Sequence, residues 1–288
     1  MTTIHQALER ATVFLTQADQ ANARLDAQVL LSHTLHTDRS FLYAYPEQVL
    51  TSEQEQNYLT LIERRSQGEP MAYLTGHKEF YGLDFLVDKR VLIPRPETEL
   101  LVEAALNVCR KMFDVGHTPI VADIGTGSGA IPVTLAVLES RLPYLYACDI
   151  STDALNVAYL NCQRHHVEDR VRLLQGDLLA PLPEPVDLVT ANLPYVGTDE
   201  LEELPLDVRS YEPHLALFSG PLGLDLMLRF FQELQHSQKL KAGAILLLEI
   251  GYRQYDALTS ILHEIWPQAI LTFTKDFAGW NRVLQVTL

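Results

Sequence analysis

Three glycines at alternate positions constrain the fold of this chain more than any other feature of its sequence. Gly125, Gly127 and Gly129 follow an apolar run that ends in Asp123, and a second apolar run, 130–138, comes directly after them. This order predicts a strand, a tight turn and a helix. Glycine suits such a turn because it reaches positive φ and has no Cβ to keep a ligand away from the backbone. The free N–H groups at the start of the helix can then bind polar groups of that ligand.

The spacing of these glycines distinguishes two kinds of cofactor site. It is G-x-G-x-G, whereas dinucleotide sites use G-x-G-x-x-G. An aspartate two residues before the first glycine is typical of sites for S-adenosylmethionine (SAM). We therefore expect Asp123, Thr126, Ser128 and the three glycines to bind SAM. The alternative is a turn that serves only packing.

β-prone and helix-compatible segments alternate after residue 97. The β-prone runs are 119–123, 144–150, 171–175, 186–191, 244–250, 269–274 and 281–287, and helical patterns separate most of them. Such alternation predicts a mostly parallel sheet of seven strands with helices on both faces. The last two runs are close in sequence, so we expect them to pair as an antiparallel hairpin. Ligands of such sheets bind at the carboxyl ends of the strands.

The first quarter of the chain has a different character. Apolar residues recur at helical spacing over 1–75, and strand signals are scarce there. We expect a small helical bundle, in which Ser52 and Glu55 form a capping box at the start of one helix. His33 and His36 could share a helix face, but no further ligands lie at suitable spacing, and we expect no metal site.

A change in composition at residue 76 predicts a linker between two domains. Short β-prone runs flank Gly82 within 76–96, and this pattern indicates a hairpin. Pro96 then suits the first turn of a helix over 97–110. The sequence thus predicts three parts: a helical domain over 1–75, this hairpin linker, and an α/β domain over 97–288.

Two further strands of the predicted sheet lead into carboxylates. Asp149 ends the second strand, 22 residues after Gly127, where a carboxylate can accept both hydroxyls of a ribose. A helix cap is the alternative role for Asp149. Asp177 follows the third strand and is placed to accept from the amino group of an adenine. Their neighbours Ile150 and Leu178 would then cover the two faces of the base.

The fourth predicted strand ends in N-L-P-Y, the most specific motif in the chain. Methylation of a planar, weakly nucleophilic NH₂ group requires acceptors that hold its hydrogens and a clamp on its face. The side-chain oxygen of Asn192 and the backbone carbonyl of Leu193 can accept one hydrogen each. Pro194 fixes the backbone, and the ring of Tyr195 can stack on the planar group. These four residues are the candidate catalytic and substrate-binding residues, with Asn192 also next to the cofactor, and a plain strand-ending turn is the alternative.

This chemistry needs no strong general base in the ground state. The nitrogen becomes acidic only as the methyl group arrives, so most of the rate comes from placing the nitrogen in line with the methyl group. Such placement can supply about 7–11 kcal/mol of the barrier in principle.

The formal net charge of −15 restricts the partners of the chain. Residues 97–288 carry 13 basic and 25 acidic side chains. Phosphate backbones are bound by clustered Lys and Arg, so this excess argues against nucleic acid as the main partner. It is compatible with a cationic ligand or with a protein partner that carries basic patches.

The sequence also bears on where the chain acts. Cys109, Cys148 and Cys162 form no C-x-x-C pair, which indicates a reduced, cytoplasmic protein. The N-terminus lacks the basic start and apolar run of a signal peptide. No apolar segment approaches the ~20 residues of a membrane helix. We expect a cytoplasmic monomer that does not bind membranes.

The motifs resemble those of the peptide chain release factor glutamine methyltransferases, the HemK/PrmC family. The resemblance runs nearly end to end and is clearest in P-M-A-Y-L-T-G-H-K-E-F-Y-G-L, V-L-I-P-R-P-E-T-E-L-L-V-E, A-D-I-G-T-G-S-G-A-I, N-L-P-Y, Y-E-P-H-L-A-L-F-S-G-P-L-G-L-D and L-L-L-E-I-G-Y-R-Q. Members have a helical N-terminal domain, a hairpin linker and a Rossmann-like class I SAM-dependent methyltransferase domain. They methylate the side-chain amide of the glutamine in the Gly-Gly-Gln loop of class 1 release factors.

The resemblance implies a role for each motif and exposes two departures. The glycine turn and Asp149 would bind SAM, residues Asn192 to Tyr195 would bind the glutamine, and the N-terminal domain would bind the release factor outside its loop. The family usually has N-P-P-Y, whereas this chain has Leu193 at the first proline. Many relatives also carry an aromatic residue where this chain has Leu178. Leu193 keeps its carbonyl as an acceptor, and Leu178 keeps apolar cover for the base.

Other functions remain as alternatives. N-L-P-Y is also similar to the motif of ribosomal RNA adenine dimethyltransferases, and an adenine amine in RNA or DNA poses the same chemical problem. The acidic charge, the helical domain and the P-R-P-E-T-E segment disfavour that substrate. A NAD-linked oxidoreductase is disfavoured by the glycine spacing. A non-catalytic adaptor with a methyltransferase fold is disfavoured by the presence of Asp123, Asp149 and Asn192.

Overall fold

The structure is a computed structural model in which all 288 residues are described. The chain divides into two compact units. The first comprises Met1–His77 with Pro205–Tyr211, and the second comprises Lys78–Leu204 with Glu212–Leu288. None of the helices is long and apolar enough to cross a membrane.

The chain forms eleven α-helices and nine β-strands. The helices are α1 (Ile4–Gln17), α2 (Ala23–Leu35), α3 (Arg39–Ala44), α4 (Ser52–Ser66), α5 (Met71–Thr75), α6 (Thr98–Asp114), α7 (Ala130–Leu138), α8 (Thr152–Arg164), α9 (Leu206–Tyr211), α10 (Asp225–His236) and α11 (Tyr255–Ile265). The strands are β1 (His77–Phe80), β2 (Leu83–Leu86), β3 (Val121–Ile124), β4 (Leu145–Asp149), β5 (Val171–Gln175), β6 (Val186–Ala191), β7 (Leu240–Glu249), β8 (Ile270–Lys275) and β9 (Asn281–Thr287).

The first unit is a helical bundle, as the sequence predicts for its N-terminal part. Apolar side chains of α1, α2 and α4 form its core, and Ile4, Leu30 and Tyr58 are at most 1% exposed. The hydroxyl of Tyr58 donates to the carbonyl of Ala27 at 3.0 Å. This bond satisfies a polar group that lies deep inside an apolar core.

The start of α4 lies one residue earlier than the predicted capping box. Thr51 is the capping residue: its hydroxyl accepts from the N–H of Gln54, and the side chain of Gln54 accepts from the N–H of Thr51. The predicted pairing of Ser52 with Glu55 is therefore wrong. Both pairs fit the S/T-x-x-E/Q pattern, and Glu55 instead accepts from the hydroxyl of Thr2 at 2.5 Å.

A late segment of the chain, Pro205–Tyr211, belongs to the first unit. It lies within the range expected for the α/β domain. The hydroxyl of Tyr211 donates to the carbonyl of Gln67 at 3.0 Å. A Cβ added to Gly68 would lie 3.2 Å from a methyl carbon of Leu206. The helix α9 thus packs against the turn that follows α4.

The second unit contains a seven-stranded sheet in the order β5-β4-β3-β6-β7-β9-β8. Strands β3 to β7 run parallel, and β9 runs antiparallel to both of its neighbours. The predicted doubly wound sheet and its terminal hairpin are confirmed. The chain proceeds from β3 outward to β5 and then returns to β6 on the other side of β3. Ligands of such sheets bind at this reversal, beyond the carboxyl ends of the strands.

The predicted linker hairpin is present, and β1 pairs with β2. Tyr81 and Gly82 connect the strands with φ angles of 52° and 75°. Positive φ at both central residues is typical of a two-residue hairpin turn. Glycine meets this requirement without strain, which explains why the turn is centred on Gly82.

Among the boundaries that differ from the predictions are the starts of β7 and α6. Strand β7 begins at Leu240, and its pairing with Val186 precedes a register irregularity. Gly243 interrupts the apolar pattern inside this strand with a φ of +75°, and such a bulge does not end the pairing. Helix α6 begins at Thr98, so Pro96 precedes the helix rather than lying in its first turn.

Candidate active site

The carboxyl ends of β3, β4, β5 and β6 border one cavity of about 510 Å³. This is the edge of the sheet at which the sequence places its candidate residues. The cavity is lined by residues from all four predicted motifs, namely Gly125, Thr126, Gly127, Ser128, Asp149, Ile150, Asp177, Leu178, Asn192, Leu193 and Pro194. The structure therefore brings together residues that are up to 69 positions apart in the sequence.

The glycine turn between β3 and α7 leaves space for a ligand. Gly125, Gly127 and Gly129 all have positive φ, between 55° and 79°. A Cβ added to Gly127 would meet no atom within 4 Å, and it would occupy the cavity that Gly127 lines. Gly129 has another role, since a Cβ there would lie 3.2 Å from the Cβ of Ala158. It permits close packing of α7 on α8 and does not line the cavity.

Two polar atoms beside the turn have no partner within the protein. They are Oδ2 of Asp123 and Oγ1 of Thr126, both buried. Oδ1 of Asp123 accepts from the hydroxyl of Thr190 at 2.7 Å. Buried polar groups are rarely left unsatisfied, so the hydroxyl of Thr126 marks a place where a polar ligand fits. Thr126 lines the cavity, whereas Asp123 lies behind it at the end of β3.

The electrostatics of Asp123 follow from its complete burial. Burial raises the pKa of this carboxyl to about 6, and the charge of Asp149 acts in the same direction. The hydroxyls of Thr190 and Thr126 lower the pKa. The Thr126 hydroxyl has this influence by proximity, without the geometry of a hydrogen bond.

Asp149 ends β4 and faces the glycine turn. Its Oδ2 accepts from the N–H of Gly127 at 2.8 Å, and its Oδ1 accepts from the N–H of Ser151 at 2.9 Å. A carboxylate has about four acceptor positions, so two remain for a ligand. Burial raises the pKa of Asp149, although the N–H groups of Ser151, Gly127 and Ile150 oppose that rise. Asp149 thus both holds the turn and borders the cavity.

Asp177 has a partner that the sequence did not indicate. Its Oδ1 accepts from the guanidinium of Arg229 at 2.6 Å, and Arg229 also lines the cavity. Leu178 is 6% exposed and adopts a φ of 44°. The exposed side chain of Ile150 lines the same cavity.

The N-L-P-Y segment follows β6 directly. Asn192, Leu193 and Pro194 line the cavity. Leu193 is 2% exposed, and its Cδ2 would lie 3.0 Å from a Cβ added to Gly125. The leucine that replaces the usual proline therefore packs against the glycine turn. Tyr195 is not among the lining residues, and its hydroxyl donates to Oε1 of Glu249 at 3.1 Å.

Thr98 and Glu249 complete the polar contacts of this segment. The side-chain nitrogen of Asn192 donates to Oγ1 of Thr98 at 3.2 Å, and Thr98 donates to Oε2 of Glu249 at 2.6 Å. Burial raises the pKa of Glu249. Neither residue is among the site residues that the sequence motifs predict. A signal was present for Glu249, because a single carboxylate interrupts the apolar run L-L-L-E-I at the end of β7.

The segment after N-L-P-Y covers one side of the cavity. Pro213, Leu215 and Phe218 are lining residues. The carboxylate of Glu212 accepts from the N–H of Ile93 at 3.1 Å and forms an ion pair with Arg95. The P-R-P segment and the Y-E-P-H segment therefore meet at this carboxylate, a pairing of residues 117 positions apart that no local pattern reveals.

Gln254 fixes the backbone at the end of the N-L-P-Y segment. Its side-chain nitrogen donates to the carbonyls of Tyr195 and Gly223, both at 3.0 Å. Its side-chain oxygen accepts from the N–H of Gly251 at 2.9 Å. One buried amide thus joins three loops at the edge of the site.

Substitution of Gly223 is expected to disturb this arrangement strongly. A Cβ at this position would lie 2.0 Å from the carbonyl oxygen of Tyr195, and the φ is +72°. Gly223→Ala should lower the free energy of unfolding by about 2–5 kcal/mol, from the positive φ and from overpacking. Denaturant titration measures this loss. Gly243→Ala is the matched control, since its φ is +75° and no atom lies within 4 Å of its added Cβ. It should cost only about 1–2 kcal/mol, and equal losses at the two positions would contradict the proposed clash.

Comparison with known proteins gives two family matches. The PrmC N-terminal domain matches residues 6–76. The Methyltransferase small domain matches residues 98–204. The two matches leave residues 77–97 between them and thus flank the predicted linker.

Close sequence relatives share one name. The "Release factor glutamine methyltransferase" of Koribacter versatilis is 41% identical over 285 residues, which cover 98% of this chain and 97% of the relative. The protein of that name from Moorella thermoacetica is also 41% identical, over 97% of this chain and 96% of the relative. The one from Bacillus subtilis is 35% identical over 99% of this chain and 97% of the relative.

Solved structures support the fold alone. The catalytic domain of hMettl16, in complex with a hairpin of the MAT2A 3'UTR, aligns with a TM-score of 0.55 at 16% identity. The alignment covers 85% of this chain and 84% of that one. The likeness agrees with a methyltransferase-type α/β sheet, and at this identity it says nothing about the substrate.

Proposed function

The chain belongs to the release factor glutamine methyltransferase family, and from this we propose that it methylates the glutamine in the Gly-Gly-Gln loop of class 1 peptide chain release factors. It is a SAM-dependent methyltransferase with a Rossmann-like class I catalytic domain. The reaction would replace one hydrogen of the side-chain amide nitrogen of the glutamine by the methyl group of SAM, and that hydrogen would leave as a proton to solvent. The observation that carries this proposal is the convergence of the glycine turn and Asn192 on one cavity.

The cavity suits SAM in three respects. The positive-φ turn at Gly127 leaves backbone exposed to the ligand, Asp149 keeps acceptor positions for ribose hydroxyls, and Thr126 offers an unpartnered hydroxyl. We assign Asp177, Ile150 and Leu178 to the adenine. When bound, SAM supplies an electrophilic methyl group on a positively charged sulfur.

The N-L-P-Y residues suit a planar amide. Asn192 donates its nitrogen's hydrogen to Thr98, and this leaves its oxygen to accept from the substrate. The carbonyl of Leu193 supplies a second acceptor, and Pro194 restricts the backbone between them. When both of its hydrogens are accepted, the glutamine nitrogen gains electron density and is oriented toward the methyl group. The hydroxyl of Tyr195 donates to Glu249, and this bond limits the motion of the N-L-P-Y segment.

We also propose the division of labour between the domains. Residues 1–75 would bind the release factor outside its loop, 76–96 would link the domains, and 97–288 would perform the transfer. The acidic charge of the chain favours a protein partner with basic patches over nucleic acid. Three buried cysteines without disulfides support action in the cytoplasm, and we propose that the chain acts there as a monomer.

The proposal is tested by mass spectrometry of a purified class 1 release factor after incubation with this protein and SAM. One added methyl group on the loop glutamine is the expected result. A parallel reaction with ribosomal RNA tests the adenine alternative. Methylated adenine beside an unmodified release factor would overturn the proposal.

Affinity for SAM is expected to weaken as the pH falls from about 7 to about 5. The pKa of Asp123 is about 6, so its carboxyl is ionised above this pH and neutral below it. A cationic ligand beside the turn favours the ionised form, and below the pKa binding must release a proton. The dissociation constant should therefore rise, by up to about tenfold for each pH unit below the pKa.

Calorimetric titration over this pH range measures the effect. Asp123→Asn should remove the rise near the pKa of Asp123. A rise that persists in this variant would assign the effect to Asp149, whose pKa burial also raises.

A further inference from the structure

A chain of four side chains runs from the cavity into the interior of the second unit. Asn192 donates to Thr98 at 3.2 Å, Thr98 donates to Glu249 at 2.6 Å, and Tyr195 donates to Glu249 at 3.1 Å. Thr98 is 4% exposed and Glu249 is 1% exposed. These residues come from the start of α6, the segment that follows β6 and the end of β7, so the sheet and its first helix bring them together.

The chemistry of these groups fixes the direction in which the hydrogen bonds between them are donated. An ionised carboxylate only accepts, whereas a hydroxyl has a single hydrogen to donate. Each oxygen of Glu249 receives one hydroxyl, from Thr98 or from Tyr195. Thr98 has then used its hydrogen, and only its lone pairs face Asn192. They can bind the amide nitrogen of Asn192 and would repel the amide oxygen.

Three groups favour the ionised form of Glu249, and two effects oppose it. Burial raises its pKa, and the charge of Glu97 acts in the same direction. The hydroxyls of Thr98 and Tyr195 and the guanidinium charge of Arg282 lower it. The direction of hydrogen bonding described above is that of the ionised carboxylate, and these three groups favour that form.

We propose that Thr98 and Glu249 are positioning residues that fix which end of the Asn192 amide faces the substrate. The inference rests on the proposed function and extends it to specificity. With its nitrogen held by Thr98, Asn192 presents only its oxygen to the cavity. An oxygen accepts from the NH₂ group of a glutamine and repels the carboxylate of a glutamate. The network thereby selects glutamine over glutamate at the reacting position.

The need for such a device follows from the symmetry of an amide. The oxygen and the nitrogen of Asn192 have nearly the same size, so packing does not distinguish the two orientations, and hydrogen bonds must do so. Removal of the Thr98 hydroxyl brings the two orientations closer in energy. In the flipped orientation the nitrogen of Asn192 would face the cavity and bind a carboxylate.

The test compares two release factors, one with glutamine and one with glutamate in the Gly-Gly-Gln loop. Dissociation constants are measured at about pH 8 for the enzyme saturated with S-adenosylhomocysteine, so that no turnover occurs. The unmodified enzyme should bind the glutamine form more tightly. In Thr98→Val the dissociation constant of the glutamate form, divided by that of the glutamine form, should fall about tenfold. This is the change expected for the loss of one discriminating hydrogen bond. Thr98→Ser restores the hydroxyl and should restore the ratio.

A purely structural role predicts another result. If the substitution only lowered the stability of the enzyme, both release factors would bind more weakly by the same factor. The ratio of their dissociation constants would then be unchanged, and this result would overturn the inference. A ratio near one in the unmodified enzyme would also overturn it. If Thr98→Val does not fold, Thr98→Ala removes the same hydroxyl with less steric demand and carries the same expectation.

Failure of the proposed function is recognised separately. Methyl transfer by the unmodified enzyme to the glutamine form is measured in the same preparation. Absence of transfer would reject the proposed substrate. Normal transfer with an unchanged binding ratio in Thr98→Val would reject only the role of Thr98 and Glu249.

Discussion

Replacement of Asn192 by alanine is expected to lower kcat for methyl transfer by about 10²–10³-fold. The side-chain oxygen of Asn192 is the acceptor that aligns the reacting nitrogen, and its own nitrogen is held by Thr98 at 3.2 Å. Alanine leaves one hydrogen of the substrate amide without an acceptor, so the nitrogen is no longer held in line. The same loss should appear in the rate constant of methyl transfer, which single-turnover assays with saturating SAM and a purified release factor measure directly.

The affinity for SAM separates this effect from damage to the fold. Asn192 lies next to the glycine turn, so SAM affinity should fall less than about tenfold, as expected for one lost contact. Asn107→Ala makes the same substitution on the exposed face of α6 and should leave kcat unchanged. A variant at Asn192 that keeps more than a tenth of the original kcat would show that the Leu193 carbonyl alone suffices to hold the amide.

Asp149→Ala is expected to weaken SAM binding by about 10²–10⁴-fold. Two charge-assisted bonds to ribose hydroxyls would be lost, each contributing about 1.5–3 kcal/mol. The turn would also lose the acceptor for the N–H of Gly127, which lies 2.8 Å from Oδ2. Isothermal titration with SAM and with S-adenosylhomocysteine should show similar losses, because both ligands carry the same ribose.

The kinetic signature of this variant differs from that of Asn192→Ala. Asp149 is not expected to contact the reacting nitrogen, so the rate of methyl transfer should largely recover when SAM is raised to saturation, and kcat should change little. Asp153→Ala removes an exposed carboxylate four residues away and serves as the control. An affinity loss below about threefold would assign Asp149 to the turn alone.

The order of the strands and helices followed from the sequence because local patterns specified it. Strands β5, β6 and β9 have the predicted bounds. The hydroxyl of Ser151 caps α8 by accepting from the N–H of Ala154, and apolar runs define the strands. Where local patterns were ambiguous, the predicted boundaries were wrong. This happened at the start of β7, near Gly243, and at the two overlapping capping boxes of α4.

The site was predictable only where residues lie at strand ends. Parallel strands bring their carboxyl ends to one edge, so Asp149 and Asn192 could be placed near the glycine turn without a structure. The Thr98–Glu249 bond joins residues 151 positions apart. The partnership of Arg229 with Asp177 likewise depends on where α10 packs. Such pairs depend on tertiary packing, and a single sequence carries no periodic signal for them.

The late segment Pro205–Tyr211 has a consequence for how the protein is made. The ribosome synthesises the first 204 residues, including β3 to β6, before the last helix of the bundle emerges. Until then Gln67 lacks the hydroxyl of Tyr211, and Gly68 lacks contact with Leu206. A fragment that stops at His77 is an incomplete bundle, and a chimaera that exchanges the N-terminal domain between relatives must carry both segments.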